Sequence, residues 1–290
     1  MTILGTVFQS AVELERLPDT ARAADAAGLE ELWLWEDCFS ASGIAALAAT
    51  LARTERLKVG IGLLPVPLRN VALAAMEVAT LERLFPGRSI IGVGHGVLDW
   101  MGQAGARAGS PLTLLGEYLD ALRALLRGET VTTSGRYVSL TDVRLTWPPA
   151  VPPAVHAGAE GPKTLELVGA RADGTILPGG TTPDRVRAAR DRIDAGRAAA
   201  GRTDPHRVTV FLMTATGPQA QARFEAECRR WSFPADADTG VAGDAEAVAV
   251  AVRRWADAGA DAVILQPPQD EADLPAFARF AAEQVRPLVP

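Results

Sequence analysis

The stretch VGIGLLPVPLRN, from Val59 to Asn70, decides the fold. It reads as an apolar strand that contains Gly60 and Gly62 and then meets two prolines and an arginine. Glycine has a low strand propensity, so glycines near the end of a strand indicate close approach of the backbone to another group. The stretch therefore predicts a strand whose end forms part of a cofactor site.

Strand and helix patterns alternate along the chain on both sides of this stretch. Short apolar runs bounded by turn residues predict eight strands: Ile3–Phe8, Leu32–Trp35, Lys58–Leu64, Ser89–Val93, Ala154–His156, Thr175–Leu177, Arg207–Thr214 and Ala262–Leu265. Amphipathic helices are predicted near residues 14–28, 44–53, 71–84, 112–126, 162–171, 183–200, 218–231, 244–258 and 274–285, with a hairpin at 129–140. Eight β-then-α units without an internal linker predict one (β/α)8 TIM barrel over residues 1–290, with a doubly wound sheet as the alternative.

Composition excludes several classes of partner. The 290 residues carry a net charge of −6, which argues against nucleic acid as the main ligand. No segment reaches the apolar length that a bilayer demands, and the first residues lack a basic region typical of a secretory leader. The two cysteines, Cys38 and Cys228, are too few for a disulfide framework. We therefore expect a cytoplasmic protein that acts on a small molecule.

In a barrel, the residues that follow the strands form the functional rim. Those residues form a glycine-rich rim with few charges: Gln9, Glu36, Asp37, Gly62, Leu63, His95, Gly158, Pro178 to Gly180, Thr214 and Gln266. A rim with so few charges suits a flat aromatic cofactor better than a metal ion. The three histidines show no helical metal-ligand spacing, and a metal site built from His95, Glu36 and Asp37 is the disfavoured alternative.

A phosphate site is indicated in the segment from Pro152 to Gly169. This segment runs from a strand through the small-residue turn Gly158, Ala159, Glu160, Gly161 into a helix that begins near Pro162 and carries Lys163 in its first turn. Backbone N–H groups at a helix start, together with a lysine, bind anions. The alternative is an ordinary barrel turn with proline at the first helical position. GVGHG, Gly92 to Gly96, is a second small-residue loop after a strand and only partly matches a dinucleotide-binding motif.

Four segments together resemble the luciferase-like monooxygenases and their deazaflavin-dependent relatives. They are GLEELWLWEDCF (Gly28 to Phe39), VGIGLLPVPLRN, RLFPGRSIIGVGHG ending at Gly96, and HAGAEGPKTLELVGARADGTIL from His156. The resemblance implies a luciferase-like barrel with an insertion around the fourth and fifth strands, and a homodimer. It also implies coenzyme F420 as the cofactor, with FMN as the alternative.

The resemblance also implies roles for individual residues. A non-proline cis peptide at Gly62-Leu63 is expected to form a bulge behind the central ring of the cofactor. The residues expected to contact the cofactor are Gly60, Gly62, Leu63, Gly94, His95, Gly96, Gly158, Ala159, Glu160, Gly161, Pro162 and Lys163. Trp100 and Gln266 are the candidates for the wall of the substrate site.

The chain departs from the family at the end of the second strand. Where an acid followed by histidine is usual, it has Glu36-Asp37-Cys38. The catalytic proton donor is then expected among Glu36, Asp37 and His95. The predicted function is hydride transfer between the deazaflavin and a small, apolar organic substrate, and the alternative is an FMN-dependent monooxygenase. Loss of the acid–histidine pair keeps a third hypothesis open, a catalytically silent barrel that binds no flavin.

Two further expectations concern single side chains. His206 follows Asp204-Pro205 and is expected in a surface loop, whereas His156 is expected to pack within its strand. Arg69 and Arg88 are expected to be solvated at the surface, as single arginines usually are, with contact to an anion as the alternative.

Overall fold

The computed structural model describes residues 2–234 and 237–289. The strands of this part are β1 (Ile3–Phe8), β2 (Glu31–Leu34), β3 (Lys58–Pro65), β4 (Ser89–Gly94), β5 (Val131–Ser134), β6 (Ser139–Val143), β7 (Val155–Gly158), β8 (Gly174–Ile176), β9 (Arg207–Ala215), β10 (Gly240–Ala242) and β11 (Ala262–Gln266). Eight of them pair in parallel in the order β1-β2-β3-β4-β7-β8-β9-β11, and β11 pairs with β1. The ring is closed, so the predicted (β/α)8 barrel is confirmed.

Helices surround the ring. They are α1 (Leu17–Ala26), α2 (Gly43–Leu51), α3 (Val71–Leu84), α4 (Leu98–Gln103), α5 (Pro111–Leu126), α6 (Pro162–Arg171), α7 (Pro183–Ala199), α8 (Ala220–Arg230), α9 (Ala245–Asp257) and α10 (Leu274–Arg279). The last predicted helix runs on from α10 into a wider π-helical turn, Phe280–Val285. The expected insertion lies between β4 and β7, where the chain adds α4, α5 and the antiparallel hairpin of β5 and β6.

Side chains from alternate positions of the strands fill the barrel interior. Val7, Trp33, Ile90, Ile176 and Phe211 form one buried cluster there. The opposite faces of the same strands pack on the helices in the larger core, which contains Leu32, Val59 and Ile91 among many others. The period of two along each strand therefore sets which residues point inward.

A bulge interrupts the pairing of β3 with β4. Ile61 pairs with Ile91, but the next pair is Leu64 with Val93, so Gly62 and Leu63 together form the irregular step. The bulge lies at the expected place, whereas the expected cis peptide at Gly62-Leu63 is wrong. Within the described residues, the non-proline cis peptide joins Cys38 and Phe39 instead. An extra residue in one strand is sufficient for a bulge, so Gly62 and Leu63 need no cis bond.

Candidate active site

The carboxyl ends of the parallel strands meet at one rim of the barrel, and the residues predicted for catalysis lie there. Glu36 and Asp37 follow β2, and His95 follows β4. The shape and charge of this rim depend on what each side chain contacts.

Glu36 is held in place by two elements. Its Oε1 accepts a hydrogen bond of 2.6 Å from Arg69 Nη1, and its Oε2 accepts one of 2.7 Å from the backbone N–H of Gly43 at the start of α2. Arg69 also pairs with Glu77 of α3, 3.0 Å from Nε to Oε2. The side chains of Arg69 and Glu36 are only 14% and 10% exposed, so the expected surface role of Arg69 is wrong. A carboxylate that accepts these hydrogen bonds joins the elements of the rim to one another and is poorly placed to donate a proton.

Asp37 has a different environment. Ser10 Oγ donates to its Oδ2, and no guanidinium pairs with it among the described residues. Burial raises the pKa of Asp37, and the hydrogen bond from Ser10 opposes only part of this rise. A half-buried carboxyl with a raised pKa can hold a proton at the rim.

His95 is the third candidate for proton transfer. Its Nδ1 is buried and has no hydrogen-bond partner in the described part of the chain. Burial lowers the pKa of His95, and a backbone contact with Pro111 opposes the shift. The ring is therefore neutral near pH 7 and offers one donor and one acceptor.

The glycines of β3 accommodate tryptophans of β2. A Cβ at Gly60 would lie 2.6 Å from the ring of Trp33, and a Cβ at Gly62 would lie 2.4 Å from Trp35 Cδ1. Trp33 is fully buried inside the barrel. Gly60 therefore has a packing role, because Trp33 occupies the space that the missing side chain leaves, and its contact with a cofactor stays a prediction.

Leu63 covers the neighbouring strand ends. Its Cδ2 lies 2.9 Å from the position of a Cβ at Gly94 and 2.8 Å from that of a Cβ at Gly158. The bulged residue thus spreads across β4 and β7, and the glycines there allow it to lie flat against the sheet. Gly96 has a φ of +69°, and a Cβ there would meet Pro65 and Met101 at 3.0 and 3.1 Å. This small-residue surface fits a flat ring that rests on Leu63.

The start of α6 fits a phosphate group. Gly161 caps the helix, and nothing lies within 4 Å of the place where its Cβ would be. Lys163 is exposed, and the backbone N–H groups of Gly161 and Lys163 donate to no acceptor in residues 2–234 and 237–289. Two neighbouring groups that were also predicted to contact the cofactor have partners within the protein. The N–H of Ala159 is used in a 3.1 Å bond to Ile176, and Glu160 pairs with Arg185 at 2.6 Å.

Sequence reasoning missed an aromatic wall near the rim. Trp231 and Phe233, which follow α8, stack with ring centroids 6.3 Å apart, and Trp231 also contacts Trp35 at 6.3 Å. Trp231 Nε1 donates a 2.8 Å hydrogen bond to Glu227. The sequence pattern that could have predicted this wall is the pair of aromatic residues at 231 and 233, between a helix and a strand.

The residues predicted to line the substrate site lie apart from this wall in the sequence. Trp100 lies in α4 rather than in a loop, and Gln266 ends β11.

The closed (β/α)8 barrel, its bulged third strand and its insertion between β4 and β7 define the class of fold. Residues 3–265 match the model of the luciferase-like monooxygenase family, and the chain belongs to that family.

Two curated relatives illustrate the similarity. The 5,10-methylenetetrahydromethanopterin reductase of Methanolobus tindarius is 29% identical over 206 residues, which cover 71% of this chain and 62% of the relative. An F420-dependent glucose-6-phosphate dehydrogenase of Microbacterium testaceum is 31% identical over 181 residues, 59% of this chain and 52% of the relative. The matched chain therefore spans about three fifths or less of these relatives' length.

Solved structures share the fold over the whole chain. An F420-dependent secondary alcohol dehydrogenase in complex with an F420-acetone adduct superposes with a TM-score of 0.89 at 20% identity, covering 100% of this chain and 99% of that one. The oxygenating constituent of 3,6-diketocamphane monooxygenase from Pseudomonas putida, in complex with FMN, gives a TM-score of 0.80 at 14% identity, covering 100% and 99%.

Two features that mark other classes of protein are absent from the described residues. No cluster of three or more histidine, cysteine, aspartate or glutamate side chains suited to a metal ion occurs in residues 2–234 and 237–289. No helix in the same ranges combines the length and the apolar character needed to cross a membrane.

Proposed function

We propose that the protein is an oxidoreductase that binds coenzyme F420 and transfers a hydride between it and a small, mainly apolar organic molecule. The observation that carries the proposal is the surface formed by Leu63 across Gly94 and Gly158, at the same rim as the free N–H groups that begin α6. A flat ring and a phosphate-bearing tail need these two features at one end of a barrel. The F420-dependent relative at 31% identity supports the deazaflavin over FMN.

Each part of the rim has its own task in this proposal. A bound deazaflavin supplies a carbon that gives or accepts hydride, and the protein determines its position. Leu63 supports the ring, and Lys163 with the start of α6 holds the phosphate. Asp37 holds the proton that a carbonyl or imine substrate needs as it is reduced. Trp35, Trp231 and Phe233 exclude water from the reacting face.

Binding of two cofactors by the purified protein tests the proposal. We expect titration with F420, followed by the fluorescence of the ligand, to give saturable binding, and titration with FMN to give much weaker binding. Preference for FMN would favour the monooxygenase alternative and overturn the cofactor assignment. Failure of both to bind would favour the silent barrel.

The two lysines of the chain provide a matched pair of variants. Lys163 lies at the rim, whereas Lys58 begins β3 at the opposite end of the barrel. We expect Lys163→Glu to weaken F420 binding by about tenfold or more, because it places a negative charge at the phosphate site. Lys58→Glu makes the same change of charge and is expected to leave F420 affinity unaltered. Equal losses of F420 affinity in both variants would contradict the assignment of the phosphate site to the start of α6.

Homodimer formation is also part of the proposal. Leu73, Met76 and Leu84 of α3 are exposed, and Trp147 is exposed beside them. The resemblance to the family implies a dimer, and exposed apolar side chains along one helix are the feature a symmetric interface requires. Light scattering after size exclusion should give the dimer mass for the wild type and the monomer mass for Met76→Glu. A monomeric wild type would overturn this part.

A further inference from the structure

A cavity of about 860 Å³ opens at the amino-terminal end of the barrel. It is lined by residues at the starts of three barrel strands: Lys58 of β3, Ser89 of β4 and Arg207 of β9. Because the strands are parallel, their starts lie at the end opposite the rim that carries Asp37 and Lys163. The cavity is therefore separate from the candidate active site, and its volume is in the range of small-molecule sites, roughly 300–1,000 Å³.

The acidic side chains at the cavity are already engaged. Glu82 accepts hydrogen bonds from the backbone N–H of Gly87 and from Ser89 Oγ. Asp173 accepts from Arg123 at 2.6 Å, from Arg202 at 3.0 Å and from the N–H of Val155 at 3.0 Å. Although burial raises the pKa of Asp173, these hydrogen bonds lower it on balance. Both carboxylates thus serve to join elements of the fold.

Two cations at the cavity have no such engagement. Lys58 and Arg83 pair with no carboxylate among the described residues. Arg83 lies over the ring of Trp147, with its guanidinium carbon 5.1 Å from the centroid. Arg207, the third cation, pairs with Glu31 at 2.7 and 2.6 Å, but its Nε is buried without a partner in the described part of the chain. The free charge at this cavity is positive.

His156 adds a neutral polar group to the wall. Burial, with the charge of nearby Arg207, lowers the pKa of His156 to about 3, so the imidazole is uncharged near pH 7. Its Nδ1 is enclosed against Gly174 and has no hydrogen-bond partner in residues 2–234 and 237–289. Of the two ring nitrogens, Nε2 is left to face the cavity that the residue lines.

The remaining wall is apolar and stiff. Pro149, Pro152 and Pro153 lie in the segment that leads into β7, and Pro86 and Ile90 lie at the start of the neighbouring strand β4. Proline fixes its own backbone and lacks an N–H donor. A wall of this kind is preformed and offers an apolar surface with few hydrogen bonds.

We propose that this cavity is a second binding site, for a small organic anion with a flat apolar body, such as an aromatic carboxylate, sulfonate or phosphate ester. The anionic group lies between Lys58 and Arg83. The apolar body lies along the prolines and Ile90, and His156 hydrogen-bonds to a polar atom within it. The site does not depend on the cofactor proposed for the rim.

The probe 8-anilinonaphthalene-1-sulfonate tests the site, because it joins a sulfonate to an apolar aromatic body and fluoresces when it leaves water. Its uncharged analogue, N-phenyl-1-naphthylamine, has the same body without the anion. We expect the sulfonate to bind wild-type protein in saturable fashion and at least about fivefold more tightly than the amine, because the free charge at the cavity is positive. Equal affinities for the two probes would overturn the requirement for an anion.

Variants locate the probe on the molecule. Lys58→Glu is expected to weaken sulfonate binding by about tenfold and to leave amine binding nearly unchanged, because only the charge differs. Ala150→Trp, at an exposed position of the wall, should weaken both probes by narrowing the cavity. Lys163→Glu, the same change of charge at the rim, should affect neither. If Lys163→Glu weakens sulfonate binding and Lys58→Glu does not, the probe lies at the rim and the proposal is wrong.

Discussion

Glu36 and Asp37 are adjacent in the sequence but have different environments. Glu36 is engaged by Arg69 and by the N–H of Gly43, whereas in the described part of the chain the side chain of Asp37 accepts a hydrogen bond from Ser10 alone. Glu36 is thereby tied to the start of α2 and to the arginine that precedes α3, whereas Asp37 lies beside the residue that follows β1 by two positions. Of the three predicted proton donors, these contacts favour Asp37 and His95 over Glu36.

Removal of Arg69 tests the structural role of Glu36. We expect Arg69→Met to lower the free energy of unfolding by about 3 kcal/mol, because it leaves Glu36 buried without its partner. Urea unfolding at pH 7 measures the change. Arg187→Ala removes an ion pair whose side chains are 57% and 88% exposed, and it should cost less than about 0.5 kcal/mol.

The double variant Arg69→Met/Glu36→Gln makes the argument specific. With the buried charge removed, we expect it to regain at least half of the stability that Arg69→Met loses. If the double variant instead loses as much stability as Arg69→Met and Glu36→Gln lose in sum, Arg69 acts through Glu77 or through packing.

The pKa of Asp37 can be measured directly. Carboxyl carbon NMR titration should place the pKa of Asp37 above the ordinary value for aspartate, because burial disfavours its charged form. Ser10→Ala should raise this pKa further, since the hydroxyl stabilises the carboxylate. Asp25 serves as the internal control. Burial raises its pKa, but the N–H groups of Glu55, Arg56 and Leu57 lower it below the ordinary value on balance. An Asp37 that titrates together with Asp25 would remove it as a proton donor.

At the scale of single elements, β2 and β3 pack together because a large side chain on one strand lies beside a glycine on the other. Register pairs Trp33 with Gly60, and the tryptophan ring takes the space above the glycine. Strand and helix positions were predictable because each follows from a local hydrophobic period. The role of Gly60 was not, because it depends on a neighbouring strand whose side chain lies over it.

Gly60→Ala measures this fit. The added methyl would lie 2.6 Å from the ring of Trp33, which is fully buried and has no free space to move into. We expect the free energy of unfolding to fall by at least about 2 kcal/mol, as overpacking of a tight core does. Gly161→Ala is the matched control, because its methyl would meet nothing within 4 Å and its φ of −74° suits alanine. A loss of less than about 0.5 kcal/mol in both variants would contradict the packing role of Gly60.

At the scale of the whole molecule, burial of histidines couples folding to pH. His206 is buried rather than in a surface loop as expected, and its Nε2 lies 2.8 Å from Thr175 Oγ1 of β8. The residue leads directly into β9, so closure of the barrel encloses it. Burial and the charges of Arg197 and Arg202 lower the pKa of His206 to about 4. His156 is shifted in the same direction, to about 3.

These two histidines predict acid sensitivity. The unfolded chain takes up a proton at each below about pH 6.5, whereas the folded chain does so only near pH 4 or 3, so stability is lost as the pH falls. Between pH 7 and pH 5 the unfavourable protonation of each histidine is expected to lower the free energy of unfolding by about 2 kcal/mol. His206→Gln, which can keep the hydrogen bond to Thr175, should reduce the loss by about that amount. Urea unfolding at the two pH values measures it, and an equal loss in both proteins would exclude a contribution from His206.

The sequence by itself determined the barrel, its insertion and which residues follow the strands at the carboxyl-terminal rim. Hydrophobic period and turn residues are local properties, and the order of β-then-α units leaves few ways to close a sheet. Only the tertiary structure decided that Glu36 joins Arg69, that Gly60 accommodates Trp33 and that the bulge at Gly62 and Leu63 has trans geometry. It also revealed the cavity at the opposite end of the barrel. These features depend on side chains that meet from different strands, and no local pattern in the sequence encodes which of them will touch.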